Sequence, residues 1–395
     1  MPNNQTAKEN LFSRGSILTT RSSKGNHPKP FAGVITSRIG HFLIECESII
    51  KLSRIYNRKL LQNTPVCNVL YNPVTIANLA ALEIFPPEIN FIPCDDIESY
   101  SKYLKASGCW LDIDAIAVAM YKSAYCYSIN AVWGKREPVV QIPQAWVAKG
   151  DSLLRELGLP ENQRFVCFHA RTGAYSPSDE SAHYLRNSNI SDYDLAIDYL
   201  VSQGFYVIRM GDKSMPPITP RAKVIDYGIS ETKKDWLDLY IGSKCHFFVC
   251  GPSGAGTLAS VFGNPIVLVN GSLPFNFSFT GTFNQVGIPK MMLNNSTGQL
   301  IDFESIFKTD LGAERMSDRF LLNNIRLVEN SKEEILEVVI EMEQRLSGSF
   351  VISENDYTRQ VLIHNLIPQS HYIHGTASKF GRDFLRRYSY LLPGY

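Results

Sequence analysis

Residues 166–175 read VCFHARTGAY. Val166, Cys167, Phe168 and His169 form a strand-type run that passes directly into Arg171, Gly173 and Ala174. A basic residue just past the carboxyl end of a buried strand points at something. The same pattern recurs along the chain. Strands are expected at 165–169, 205–210, 223–227, 246–250 and 265–269, with helices at about 192–203, 232–243 and 254–262 between them. Short strands alternating with helices build a parallel, doubly wound sheet. Ligands of such sheets lie beyond the carboxyl ends of the strands, and the chemistry-bearing residues collect at those ends.

A first, smaller α/β unit is read upstream. Residues 31–36 suit a strand, Ser37–Gly40 a turn, and Ile39, Leu43, Cys46 and Ile50 one apolar face of a helix. VCNVLYN (66–72) and INFIP (89–93) add strands, and TIANLAALEIF (75–85) and about 112–124 are expected to be helical. The domain plan is therefore an arm at 1–30, an acceptor domain at 31–135, a linker at 136–163, a nucleotide-sugar domain at 164–350 and a C-terminal segment at 351–395. Residues 1–30 are polar, without periodicity, and are expected to be disordered. Ser331 followed by Glu334 announces a capped helix within 324–346.

The bulk numbers narrow the class. With 395 residues the chain is long for one core. Its net charge of +1 provides no global field to recruit nucleic acid. None of the eight cysteines forms a Cys-x-x-Cys pair, and most lie in apolar runs, which fits reduced thiols in a reducing compartment. No leader peptide is recognised and no apolar run nears ~18 residues. A cytoplasmic location is expected, with peripheral membrane contact through the basic arm.

GPSGAGTLASVFGNP (251–265) is the strongest local signal. Ser253, Gly254, Gly256 and Thr257 open a helix after a strand, an arrangement that offers free N–H groups to a phosphate. A turn that needs glycine for packing alone is the rival reading. Arg171, with His169 beside it, suits a diphosphate because a guanidinium binds two oxygens and stays charged; pairing with Asp179 or Glu180 is the alternative. Arg209, Asp212 and Asp226 stand at two further strand ends, where the acids take hydrogen bonds from a base or ribose, or act as caps. His41 and Glu45, at the start of the first helix, are the candidate bases.

The runs FVCFHARTGAY, RNSNISDYDLAIDYLVSQGFYVIRMGD and KKDWLDLYIGSKCHFFVCGPSGAGTLASVFGNPIVLVN, with RIGHFLIECE upstream, resemble a bacterial glycosyltransferase family. More distantly, the His-x-Arg strand end is similar to the donor motif of fucosyltransferases and protein O-fucosyltransferases. Here the motif continues as Thr172-Gly173, so fucose is not implied. The resemblance implies a GT-B-like fold, two Rossmann-like domains facing a cleft, with a C-terminal helix crossing back to the first domain. It implies that Arg171 contacts the donor diphosphate, flanked by Ser253, Gly254 and Thr257.

These readings together lead to the expectation of an inverting glycosyltransferase. It would move a sugar from a nucleotide diphosphate, with GDP or UDP as the leading carriers, to a glycan or lipid-linked glycan acceptor. No Asp-x-Asp triplet is read in the chain, so a metal-independent reaction is expected, with no other cofactor. A non-catalytic nucleotide- or sugar-binding scaffold and a nucleotide-sugar epimerase are the alternatives.

Overall fold

The computed structural model describes residues 31–57, 67–112, 129–130, 133–175, 177–273, 284–369, 371 and 373–394. The N-terminal arm and residues 113–124 of the expected helix lie outside them. In the first unit β1 (Phe31–Gly33), β2 (Cys67–Tyr71), β3 (Ile89–Pro93) and β4 (Trp110–Asp112) form a parallel sheet in the order β3-β2-β1-β4. Helix α1 (Ile39–Asn57) follows β1 and buries Phe42, Leu43, Cys46 and Ile50 completely. Phe42, Phe85 and Phe91 close that core with ring centroids 5.8–5.9 Å apart.

The helix expected at 75–85 is a single 3-10 turn, Leu79–Glu83. Asn78 caps it by accepting from Ala81 N at 3.0 Å, and Pro86 and Pro87 follow, so the segment is cut short at both ends. A helix the sequence reading missed, α2 (Ile97–Ala106), carries its signal in Asp96, which caps Ser99 N. Helix α3 (Gln144–Glu156) runs through the expected linker. A β-carbon on its Gly150 would stand 2.4 Å from the Tyr240 ring, so only glycine lets it approach so closely.

In the second unit β5 (Phe165–His169), β6 (Tyr206–Arg209), β7 (Val224–Ile225), β8 (Phe248–Cys250), β9 (Ile266–Gly271) and β10 (Gln285–Pro289) form a parallel sheet. A short antiparallel ribbon of β11 (Met291–Asn294), β12 (Gln299–Leu300) and β13 (Ile325–Val328) stands apart from it. The late strand β14 (Lys379–Phe380) joins the main sheet, whose order is β14-β10-β9-β8-β5-β6-β7. Counted within the unit, that is 3-2-1-4-5-6 plus one edge strand, the doubly wound order. The direction of winding reverses between β5 and β8.

Every residue of β5 is buried. Phe165 and Cys167 face the apolar cluster shared with the first unit, while Val166 and Phe168 face the other side, the period-two alternation of a strand. Helices α4 (Asp194–Ser202), α5 (Asp235–Lys244) and α6 (Thr257–Ser260) lie between the strands. One apolar cluster runs from Ala32 and Leu43 through Trp146 to Cys250 and Leu268, so the two sheets share a core. No described helix is long and apolar enough to cross a membrane.

Helix α7 (Lys332–Ser347) has the expected Ser331–Glu334 capping box and ends at Gly348, with φ 79°. The C-terminal segment departs from expectation. Helix α9 (Arg382–Arg387) packs on α7 and on α8 (Glu354–Leu366), both in the second unit, rather than crossing to the first. Charge explains the choice. Arg386 grips Asp356 of α8 at 2.7 and 2.6 Å, and Tyr388 donates to Glu334 of α7 at 2.8 Å.

The Arg386 guanidinium holds the Asp356 carboxyl well below the usual carboxylate range. A depressed carboxyl stabilises the fold above its unfolded pKa, and that stability is lost as pH falls below about 3.9. Asp356→Asn is expected to cost about 2 kcal/mol in urea unfolding near neutrality. The gap to wild type should close as pH falls toward 2; a gap independent of pH would mean the pair does not anchor the tail.

Candidate functional site

The carboxyl ends of β5 and β8 are neighbours, with His169 opposite Cys250 in the ladder. The chain leaves β5 as Ala170-Arg171-Thr172-Gly173 and bounds a cleft of about 450 Å³ with Asn187–Ile190, Arg209 and Glu329. The sequence-predicted strand end therefore opens at the point where the winding reverses.

Arg171 is mostly buried and is held by one corner. Its Nη1 donates to Asn187 Oδ1 and His183 O and lies 3.5 Å from Glu180 Oε2. Asn187 Nδ2 in turn donates to Glu180. No described protein group takes Nε or Nη2, so the edge that binds two oxygens side by side is unspent. Of the expected rivals, Glu180 is present but engages a different nitrogen, and the Asp179 side chain lies outside the described residues.

Arg209 has the opposite fate. Its Nε is 2.7 Å from Asp226 Oδ1, and Nη2 donates to Asp226 Oδ2 at 3.1 Å and Pro216 O at 2.7 Å. Nη1 contacts Met215 Sδ at 3.1 Å, and Asp226 also accepts from Ile218 N at 3.0 Å. The two residues expected to meet the donor thus meet each other. Asp212 acts as a turn residue, accepting from Ser214 N at 2.9 Å.

The 251–257 turn is spent on packing. Thr257 is fully buried and donates to Gly254 O at 2.6 Å; Ser253 accepts from Ala255 N at 3.3 Å. A β-carbon on Gly256 would meet Cys250 Sγ at 2.9 Å, and one on Gly254 would meet Gly40 N at 2.9 Å. The helix expected at 254–262 is a 3-10 turn, Gly254–Gly256, followed by the four residues of α6. So short a helix gathers little dipole. The hydroxyls expected to face a phosphate face their own turn, and glycine at 254 lets the first unit dock.

That contact brings the start of α1 to the second unit. His41 follows Gly40 and is half exposed, and its Nδ1 is 2.8 Å from Glu45 Oε1. Glu45 is buried and accepts from Ile35 N at 2.8 Å through its other oxygen, which ties the β1–α1 turn to the helix. With Nδ1–H donated to Glu45, Nε2 carries the lone pair. The sequence reading offered His41 or Glu45 as a base; the structure makes them a pair in which Glu45 orients His41.

Asn187, Lys290 and Glu329 were missed. Lys290 and Glu329 follow β10 and β13 directly, the same signal as Arg171 after β5. Those two strands carry little else that marks them. Among the described residues no group of three or more His, Cys, Asp or Glu is placed to hold a metal. Contrary to the expectation that it has none, the chain carries Asp-x-Asp triplets at 112–114 and 192–194. Of these, Asp194 is bound to Arg221 at 2.6 Å, and residues 113–114 lie outside the described residues.

The chain matches no family model and no curated protein. Among solved structures it is similar to the E. coli ADP-heptose lps heptosyltransferase II, at 12% identity and TM-score 0.44 over 66% of this chain and 90% of that one. It is also similar to a family 9 glycosyl transferase from Veillonella parvula, at 11% identity and TM-score 0.47 over 82% and 99%. E. coli heptosyltransferase WaaC with ADP gives 11% identity and TM-score 0.36 over 67% and 93%. Likeness at this level is too loose to carry an activity across.

Burial pulls the His169 imidazole down to about 4, with Arg209 and Arg171 adding to the effect and Asp212 opposing it. Among the described residues its Nδ1 has no hydrogen-bond partner. The buried neutral ring stabilises the fold above its unfolded pKa of about 6.5 and loses that contribution as pH falls toward 4. Wild type should lose up to about 3 kcal/mol of stability over that window relative to His169→Gln. Parallel curves for the two proteins would show that the ring is solvated.

Proposed function

We propose that this chain is a glycosyltransferase that moves a sugar from a nucleotide diphosphate to a hydroxyl of a glycan or lipid-linked glycan. The observation that carries the reading is the free Nε–Nη2 edge of Arg171. It stands at the reversal point of a doubly wound sheet, in a cleft large enough for part of a nucleotide, where such folds bind ligands.

The chemistry follows from the two sites. The acceptor hydroxyl gives its proton to His41 Nε2 as its oxygen attacks the anomeric carbon. The bond from that carbon to the phosphate oxygen breaks, and the diphosphate leaves with the electron pair. Arg171, anchored before the reaction begins, stabilises the charge that develops there. Glu45 stabilises the imidazolium on the other side. Attack opposite the leaving group inverts the anomeric centre. An exposed histidine backed by a buried carboxylate favours turnover over the scaffold reading, because a binding module has no use for an oriented base.

The resemblance in the sequence favours GDP or UDP as carrier. The loosely similar heptosyltransferases add ADP to the set worth testing. A thermal-shift series with UDP, GDP, ADP, dTDP and CMP is expected to raise the melting temperature with one diphosphate in wild type and not in Arg171→Ala. His41→Ala should keep the shift and lose about 10²–10⁴ in turnover with acceptor, with Glu45→Gln in between. No shift with any nucleotide would sink the donor reading. Turnover of the nucleotide-sugar without acceptor would replace it with epimerisation.

A further inference from the structure

The cleft that holds the free edge of Arg171 also has a carboxylate on its wall. Glu329 lines it from just beyond β13, with its side chain 53% exposed. Oε1 is 3.2 Å from Lys290 Nζ, and no described group donates to Oε2. Lys290 itself is 4% exposed and donates to Asn187 O at 3.1 Å. The side chain of that same Asn187 anchors Arg171. One buried lysine therefore holds both the carboxylate and the wall from which the arginine is hung.

The two open groups want different things. The arginine edge offers only donors. An ionised carboxylate offers only acceptors, so it repels phosphate and receives the hydrogens of hydroxyl groups. A glutamate kept merely to neutralise Lys290 would be drawn inside with it. This one stays half exposed on the cleft wall. Asp192 lies within electrostatic reach of both Lys290 and Glu329, and Lys332 within reach of Asp192, so the carboxylates and lysines at this end of the cleft balance.

We propose that Glu329 reads hydroxyl groups of a ligand whose diphosphate sits on Arg171, and that Lys290 is the positioning residue that fixes the distance between the two. The inference rests on the donor-site reading above and adds a selectivity to it: the cleft prefers a diphosphate that carries a polyol over a bare one. The hydroxyls belong to the ribose or to the transferred sugar.

The test is calorimetric titration of wild type and Glu329→Gln with inorganic pyrophosphate, with UDP, GDP and ADP, and with UDP-glucose, GDP-mannose and ADP-glucose. The side chain is half exposed, so an unchanged ligand-free melting temperature is expected and confirms the fold. Glu329→Gln should bind the preferred hydroxyl-bearing ligand about tenfold more weakly. It should bind pyrophosphate as well as wild type does, or better. Loss already present with the nucleoside diphosphates assigns the ribose; loss confined to the nucleotide-sugars assigns the sugar. Equal weakening of all ligands, or of none, overturns the role of Glu329 while leaving Arg171 in place. If wild type binds none of the seven, the donor reading falls as well.

Discussion

The pairing of β5 with β8 is the constraint on which the rest depends. Three residue pairs, from Cys167 with Phe248 to His169 with Cys250, bring together strands some eighty positions apart. Between them the chain has gone out along one half of the sheet, and afterwards it continues along the other. Two connections leaving in opposite directions cannot both cover the space above the junction. The opening they leave is the cleft at Arg171. It is a consequence of sheet order, and the side chains around it are those that happen to follow the strand ends.

Two arginines at adjacent strand ends show how far residue type falls short of role. Arg171 stands two residues past β5 and Arg209 ends β6, and both line the cleft. Asp226, at the end of the next strand, lies on the Arg209 side and takes its fork. Arg171 meets Glu180 and Asn187 only through Nη1. A guanidinium closed on a carboxylate braces a wall, whereas one held by a single corner is already oriented and still has an edge to give. That difference is why the proposed function puts the diphosphate on Arg171.

The turn at 251–257 serves the site indirectly. Its glycines are small because Cys250 and Gly40 press against them. By letting α1 approach, Gly254 carries His41, the proposed base, to the boundary between the two units. A further contact between the units, Asn78 donating to Asp235 O at 2.9 Å, reinforces the same docking. A larger residue at 254 would act on the base by moving a whole unit.

The sequence by itself determined what depends on local order. The strands at 165–169, 206–209 and 266–271 follow from unbroken apolar runs, α1 from its periodic face, and the cap of α7 from Ser331 and Glu334. It also placed Arg171 at a strand end, since that needs only the strand's length. The tertiary structure decided which partner each polar group found: Asn187 for Arg171, Asp226 for Arg209, and Lys290 for Glu329. It also sent α9 to Asp356 and Glu334 instead of the first unit. A hydrogen bond is satisfied by whichever group lies within about 3 Å, and that neighbour is set by sheet order and packing across tens of residues, which no local pattern records.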